Sequence, residues 1–201
     1  MTLLDTYQAK FRETSDINEH MPILLAYTKQ CASVIECGVR RPTSAYAFAT
    51  GLKGTPGNSY RMIDVTKTSD IDPFLSECHA EGVAASFETV SDIECERTET
   101  DLLFIDTWHV YGHLKRELAY WHSYAKKFII LHDTTVDEIH GETIRNGFDP
   151  VSQSAATGIP IEEIIIGLGP AVSEFLAEHP EWVVDLKLTN NNGLTILKRR
   201  A

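Results

Sequence analysis

Two short segments carry the side chains best suited to chemistry. They are Phe104-Ile105-Asp106-Thr107-Trp108-His109-Val110-Tyr111 and Ile130-Leu131-His132-Asp133-Thr134. In each, an apolar run ends in a carboxylate beside a histidine. Burying ionisable groups is unfavourable unless they are paired or used, so strand ends of this kind point to proton transfer or cation binding. Histidine is the side chain whose ordinary pKa suits proton acceptance near neutral pH. His109, three residues past Asp106, is the candidate general base. Asp106 or Asp133 would orient it and raise its pKa. His132 is the rival base, because it ends the neighbouring apolar run. The bland alternative for His109 is a satisfied histidine packed beside Trp108. His113 and His122 read as helix-surface histidines, and His140 falls in an irregular segment.

A third segment is Glu36-Cys37-Gly38-Val39-Arg40-Arg41-Pro42-Thr43-Ser44, between a short apolar strand and a helix. A dinucleotide-binding turn needs GxGxxG, so that backbone N–H groups can approach a pyrophosphate. Only Gly38 is present. The turn therefore suits a ligand without phosphates. Thr43 and Ser44, at the helix start, could hold a carboxylate. Glu36 could accept from an ammonium, or could simply cap its strand.

Positioning these groups requires alternating strands and helices. Apolar runs at 33–37, 60–65, 83–87, 101–106 and 128–131 read as strands. Helical periodicity covers 43–52, 70–81, 112–126 and 170–178. Apolar runs separated by helices indicate a parallel sheet covered on both faces, and right-handed crossovers make it doubly wound. Residues 182–188 and 194–198 are two strands joined by Thr189-Asn190-Asn191-Asn192-Gly193, a hairpin that makes the last strand antiparallel. The expected fold is thus α/β, seven-stranded and mostly parallel. Residues 1–30 read as a helical appendage, with Pro22 in the first turn of its second helix. Residues 136–167 are rich in Gly, Pro, Ser and Asn and weakly periodic, as in a lid or acceptor loop.

The chain has 201 residues, one domain's worth, and a formal net charge of −11. An acidic surface repels phosphate backbones, which argues against nucleic acid as partner. A neutral or cationic small molecule, or an uncharged glycan, fits better. Cys31, Cys37, Cys78 and Cys95 form no CxxC pair and read as buried thiols in a reducing, intracellular compartment. No apolar run is long enough to span a membrane.

The Asp106-to-Tyr111 and His132-Asp133-Thr134 segments resemble those of the class I S-adenosylmethionine (SAM) dependent O-methyltransferases that act on sugars and antibiotics. Rhamnosyl and macrolide-sugar O-methyltransferases and the cephalosporin-hydroxylase-like group are the nearest in pattern. The resemblance extends through Gly38-Val39-Arg40, Gly167-Leu168-Gly169-Pro170-Ala171-Val172 and Thr189-to-Thr195. Length and ending also look like the methyltransferase domain of large-DNA-virus proteins that build capsid glycans. The resemblance implies a Rossmann-like sheet, SAM as cofactor and O-methylation of a deoxyhexose-type glycan. It places Glu36, Gly38, Arg40 and Ser44 at the methionine end, Asp64 at the ribose and Phe87 and Glu88 beside the adenine. Asp106 would serve both cofactor and acceptor. It also implies Mg²⁺ or Mn²⁺ on Asp106, His132 and Asp133. Two departures stand out: Pro42 replaces the usual turn glycine, and His132-Asp133 replaces paired carboxylates. The competing functions are a nicotinamide-dependent oxidoreductase, disfavoured by the missing GxGxxG, and a non-catalytic binding module of the same fold.

Overall fold

The computed structural model describes residues 2–200. The apolar runs become the strands β1 (Ser33–Cys37), β2 (Ser59–Asp64), β3 (Ala85–Thr89), β4 (Thr100–Ile105) and β5 (Ala125–His132). The chain ends in β6 (Trp182–Leu188) and β7 (Leu194–Arg199). The sheet order is β3-β2-β1-β4-β5-β7-β6. The first five strands pair in parallel, and β7 is antiparallel to both β5 and β6. Asn191, Asn192 and Gly193 all take positive φ in the connecting turn, the conformation that Asn and Gly tolerate best. The expected fold is therefore the observed one. Strand order reverses between β1 and β4, where ligands of open α/β sheets bind.

Strand alternation splits the core into two layers. Val34, Met62, Leu102, Phe104 and Ile130 face one side, while Ile35, Ile63, Leu103, Ile105 and Ile129 face the other. Helices α1 (Leu3–Arg12), α2 (Met21–Thr28), α3 (Thr43–Leu52) and α4 (Ile71–Ala80) cover the first side. Helices α5 (Tyr111–Trp121) and α9 (Leu168–Glu178) cover the second. Leu3, Met21 and Leu24 are completely buried, so the N-terminal helices complete a layer of the core. All four cysteines are buried free thiols. Among the described residues, no helix is long and apolar enough to cross a membrane.

Several boundaries differ from the sequence reading, among them those of β3 and of α5 with β5. β3 begins at Ala85, because Val83 is held back by its N–H bond to the Cys78 carbonyl at the end of α4. α5 stops at Trp121, and Ala125 already opens β5, whose Lys126 and Lys127 are exposed. Residues 136–167 are more ordered than their composition suggests. They hold α6 (Glu142–Arg145), α7 (Pro150–Thr157) and α8 (Ile161–Ile164). The Glu142 N–H donates to the His109 carbonyl (3.0 Å), and the Tyr111 N–H donates to the Ile166 carbonyl (2.9 Å). The two ends of the segment are thus tied to the loop leaving β4, while α7 buries no side chain.

Candidate functional site

A cavity of about 1430 Å³ lies at the carboxyl ends of the parallel strands. That exceeds the roughly 300–1,000 Å³ of most ligand pockets. Its floor is the first turn and the ends of β2 and β4; its cover comes from residues 13–17 and from α7.

The first turn is built around Gly38. Its φ is +82°, and a Cβ there would sit 2.0 Å from the Asp106 carbonyl oxygen. The loops after β1 and β4 therefore touch at a point where only glycine fits. Asp64 holds the turn from the other side. Its Oδ2 accepts from the Val39 and Arg40 N–H groups, each at 2.8 Å, and its Oδ1 from the Thr66 N–H at 2.9 Å. Asp64 lines the crevice, but three of a carboxylate's roughly four acceptor positions are already engaged. Arg40 lines the crevice edge with its guanidinium on Asp16, 2.7 Å away.

Glu36 does not reach the crevice. Alternation along β1 puts it on the same face as Val34, where it is completely buried. It accepts from Ser44 Oγ at 2.5 Å and from the Tyr60 hydroxyl. Burial pushes its pKa up to about 8, so it is mostly protonated at neutral pH. Ser44, bonded to it, is the group that lines the cavity. Phe87 and Glu88 also lie off the crevice. Phe87 packs against the core, and Glu88 forms a two-pronged ion pair with Arg61, at 2.8 Å for each contact. The crevice is lined instead by Val90–Glu94, just past the true end of β3.

At the ends of β4 and β5, Asp106, His109 and Asp133 come together. His109 Nε2 lies 3.1 Å from Asp106 Oδ1. His109 Nδ1 lies 2.9 Å from Asp133 Oδ2, 3.2 Å from Glu142 Oε2 and 3.3 Å from Asp137 Oδ2. None of those three oxygens lies along the ring N–H direction, so Nδ1 is near three carboxylates without a hydrogen bond. Burial alone would lower the His109 pKa. Asp106, Asp133, Asp137 and Glu142 outweigh it and raise the pKa well above the ordinary value. His109 thus holds its proton more tightly than an ordinary histidine, and a base role requires that proton to leave. Asp106 is held far below the usual carboxylate range: burial opposes ionisation, but the His132 charge and the two imidazole contacts prevail. Asp133 has φ +56°, a strained conformation of the sort that clusters at functional sites.

His132 sits behind this group rather than in it. Its side chain is 1% exposed, with Nδ1 3.2 Å from Asp106 Oδ1 and Nε2 3.3 Å from the Asn191 carbonyl. Burial lowers its pKa, but Asp106 overrides this and lifts it to about 9. It lies outside the main cavity, so it cannot meet an acceptor there. The donor atoms brought within 4.8 Å of one another belong to Asp106, His109 and Asp133, not to the expected set with His132.

Two carboxylates of the cluster escaped the sequence reading. Asp137 is fully buried and pairs through both oxygens with Arg145, at 2.7 and 2.8 Å. Glu142 opens α6. The available signal was the spacing Asp133, Asp137, Glu142 after β5, but an irregular segment gives no face from which to infer convergence. His113 is not a surface residue either; its side chain faces Asp92 and Glu117.

No family model and no curated protein matches the chain in sequence. Solved structures match it in shape. The SAM-bound O-methyltransferase of Streptomyces achromogenes involved in tomaymycin synthesis is 12% identical, with a TM-score of 0.62 over 99% of this chain and 90% of that one. An O-methyltransferase of Bacillus cereus in complex with S-adenosylhomocysteine (SAH) gives 14% and 0.59 over 98% and 89%. A structure described as a putative caffeoyl-CoA O-methyltransferase of Staphylococcus aureus gives 17% and 0.57 over 98% and 97%. The seven-stranded sheet with its antiparallel C-terminal hairpin is therefore the Rossmann-like methyltransferase fold.

Proposed function

We propose that the chain is a SAM-dependent O-methyltransferase that methylates a hydroxyl of a sugar-type acceptor, such as a deoxyhexose of a glycan. One observation carries this reading. A single crevice at the strand-order switch joins a turn with one glycine to a histidine set among carboxylates. The crevice fits SAM on its own chemistry. The ends of β2, β4 and β5 present Asp64, Asp106 and Asp133, which favour a cationic sulfonium and ammonium and oppose a pyrophosphate. That sets the nicotinamide alternative aside. Both imidazoles approach Oδ1 of Asp106, leaving Oδ2 without a hydrogen bond among the described residues.

SAM, when bound, supplies an electrophilic methyl group. Ser44 and the N–H groups at the start of α3 would hold the methionine end, with Glu36 acting through Ser44. Asp64, with one acceptor position left, would take a ribose hydroxyl. Val90 and Ile93 offer apolar surface to the adenine. His109 would take the acceptor proton, once its own has been released to solvent. Asp106 and Asp133 hold the ring in place. Transfer otherwise depends on alignment of oxygen, methyl and sulfur. Apart from histidines, Trp108 is the one aromatic lining residue among those described; Ser15, Gln153 and Thr157 line the same cavity. That wall favours a polyhydroxylated acceptor over a planar phenol. Residues 148–158, whose α7 buries no side chain and is held mid-segment by the Thr143 hydroxyl donating to Gln153 Oε1, would move as the cover.

A divalent cation would sit on Asp106, His109 and Asp133, where it would acidify an acceptor hydroxyl. The cluster is nearly balanced without one. Asp106, Asp133, Asp137 and Glu142 face His109, His132 and Arg145, and the cationic centre of SAM would complete the balance. The charge of SAM, and not a metal ion, completes it in this reading. The test is mass spectrometry of candidate glycosides after incubation with methyl-labelled SAM, in excess EDTA and with added Mn²⁺. Label should appear equally in both. Failure to label any hydroxylated acceptor would overturn the reading, and label appearing only with Mn²⁺ would overturn the metal-free form of it.

A further inference from the structure

We propose that Asp92, His113 and Glu117 form a binding site for a borderline transition-metal dication, with Zn²⁺ as the best-suited ion. They lie in the wall of the crevice between the loop after β3 and α5, and share no residue with the Asp106, His109 and Asp133 cluster. His113 and Glu117 stand one turn apart on the same face of α5. Asp92 lies in the loop leaving β3, whose backbone is fixed there. The Trp121 Nε1–H and the Cys95 thiol both donate to the Asp92 carbonyl, at 3.0 and 3.3 Å. His113 Nε2 is 3.4 Å from Asp92 Oδ1 and 3.7 Å from Glu117 Oε1. One donor atom from each residue lies within 4.8 Å of the others.

A second observation points independently to a ligand. The side chains of Asp92 and Glu117 are 7% and 1% exposed. Asp92 Oδ2 and Glu117 Oε2 have no hydrogen-bond partner. Each such buried oxygen is strongly unfavourable, more so if charged. A proton shared by the two carboxyls, with His113 left facing Asp92, is the competing arrangement, and metal titration separates the two. A dication in this cluster would meet one donor atom from each of the three side chains.

The geometry selects the ion. Zinc bonds to nitrogen and oxygen are roughly 2.0–2.2 Å, so tetrahedral ligand atoms stand about 3.3–3.6 Å apart. The His113–Asp92 separation of 3.4 Å falls in that range, and the His113–Glu117 separation of 3.7 Å lies just above it. An imidazole with two carboxylates suits zinc or a similar ion, whereas Mg²⁺ prefers six oxygens. Thr107 Oγ1 donates to Glu117 Oε1 at 2.5 Å, the outer contact that orients a ligating carboxylate. Asp92, Thr107 and His113 line the crevice, so a fourth position opens toward it. The ion would pin the loop after β3 to α5 and stiffen that wall.

The experiment is calorimetric titration of the metal-free protein with ZnCl₂, with Co²⁺ absorption as a second measurement. The wild type should bind one Zn²⁺ at this site and give the intense visible bands of four-coordinate cobalt. Asp133→Asn, which disturbs only the β4–β5 cluster, should keep this binding. His113→Ala and Glu117→Gln should weaken it by more than the ~10–100-fold that loss of an outer contact costs. The proposal fails if the wild type shows no saturable Zn²⁺ site or only the faint bands of six-coordinate cobalt. It also fails if His113→Ala binds as the wild type does. Cobalt bands kept by Asp133→Asn and lost by His113→Ala assign the ion to this site, so a Glu117→Gln protein that fails to fold leaves the question decidable.

Discussion

Gly38→Ala should destabilise the protein by more than ~4 kcal/mol, a large part of the ~5–15 kcal/mol that holds a typical domain folded. Two effects add. A non-glycine residue at positive φ costs roughly 1–2 kcal/mol. The new Cβ would also stand 2.0 Å from the Asp106 carbonyl oxygen, which belongs to backbone that cannot swing away. The first turn and the end of β4 would have to separate, and the crevice with them. Gly82→Ala is the control. Gly82 has φ +76°, but a Cβ there meets nothing within 4 Å, so only the conformational part applies. Urea unfolding midpoints compare the two directly. Equal losses for Gly38→Ala and Gly82→Ala would show that the close approach contributes nothing.

His109→Ala should lower turnover by ~10²–10⁴-fold while cofactor affinity stays largely intact. The surroundings of His109 add a sharper expectation. A general base works only when deprotonated, and this one is held protonated well above the ordinary histidine range. The rising limb of the pH–rate profile should therefore lie on the alkaline side of 6.5, and His109→Ala should abolish it. The same shift bears on stability. A histidine whose pKa is raised by folding contributes stability that is full below its unfolded pKa and is lost as pH rises through the folded one. Asp137 and Glu142 bind the segment after β5 to His109, so that segment should loosen first at alkaline pH. A limb at or below 6.5, or normal turnover in His109→Ala, would pass the proton to a carboxylate such as Asp133.

The sheet was legible because its central strands are unbroken apolar runs. Nothing but a two-sided interior explains Leu102-Leu103-Phe104-Ile105 or Phe128-Ile129-Ile130-Leu131. The Asn-Asn-Gly turn announced the antiparallel ending equally clearly. The site was legible only where strand ends alone determine position. Asp106, His109 and Asp133 meet as expected, because β4 and β5 are neighbours in register. Glu36 went astray because alternation in β1 sends it beneath Ser44 and Tyr60, while the crevice is reached only past the strand end. Phe87 and Glu88 were displaced by the two-residue shift in β3. Asp137 and Glu142 come from a segment whose path follows backbone bonds to the loop after β4. Composition carries no trace of those bonds.

The central claim is that this crevice binds a sulfonium nucleoside and not a dinucleotide. Isothermal titration of the protein with SAM, SAH and NAD⁺ tests it most directly. The account predicts saturable one-to-one binding of SAM and SAH, weakened by Asp64→Ala and unaffected by excess EDTA, with no heat from NAD⁺. Binding of NAD⁺ without SAM or SAH, or no binding of any of the three, would contradict it.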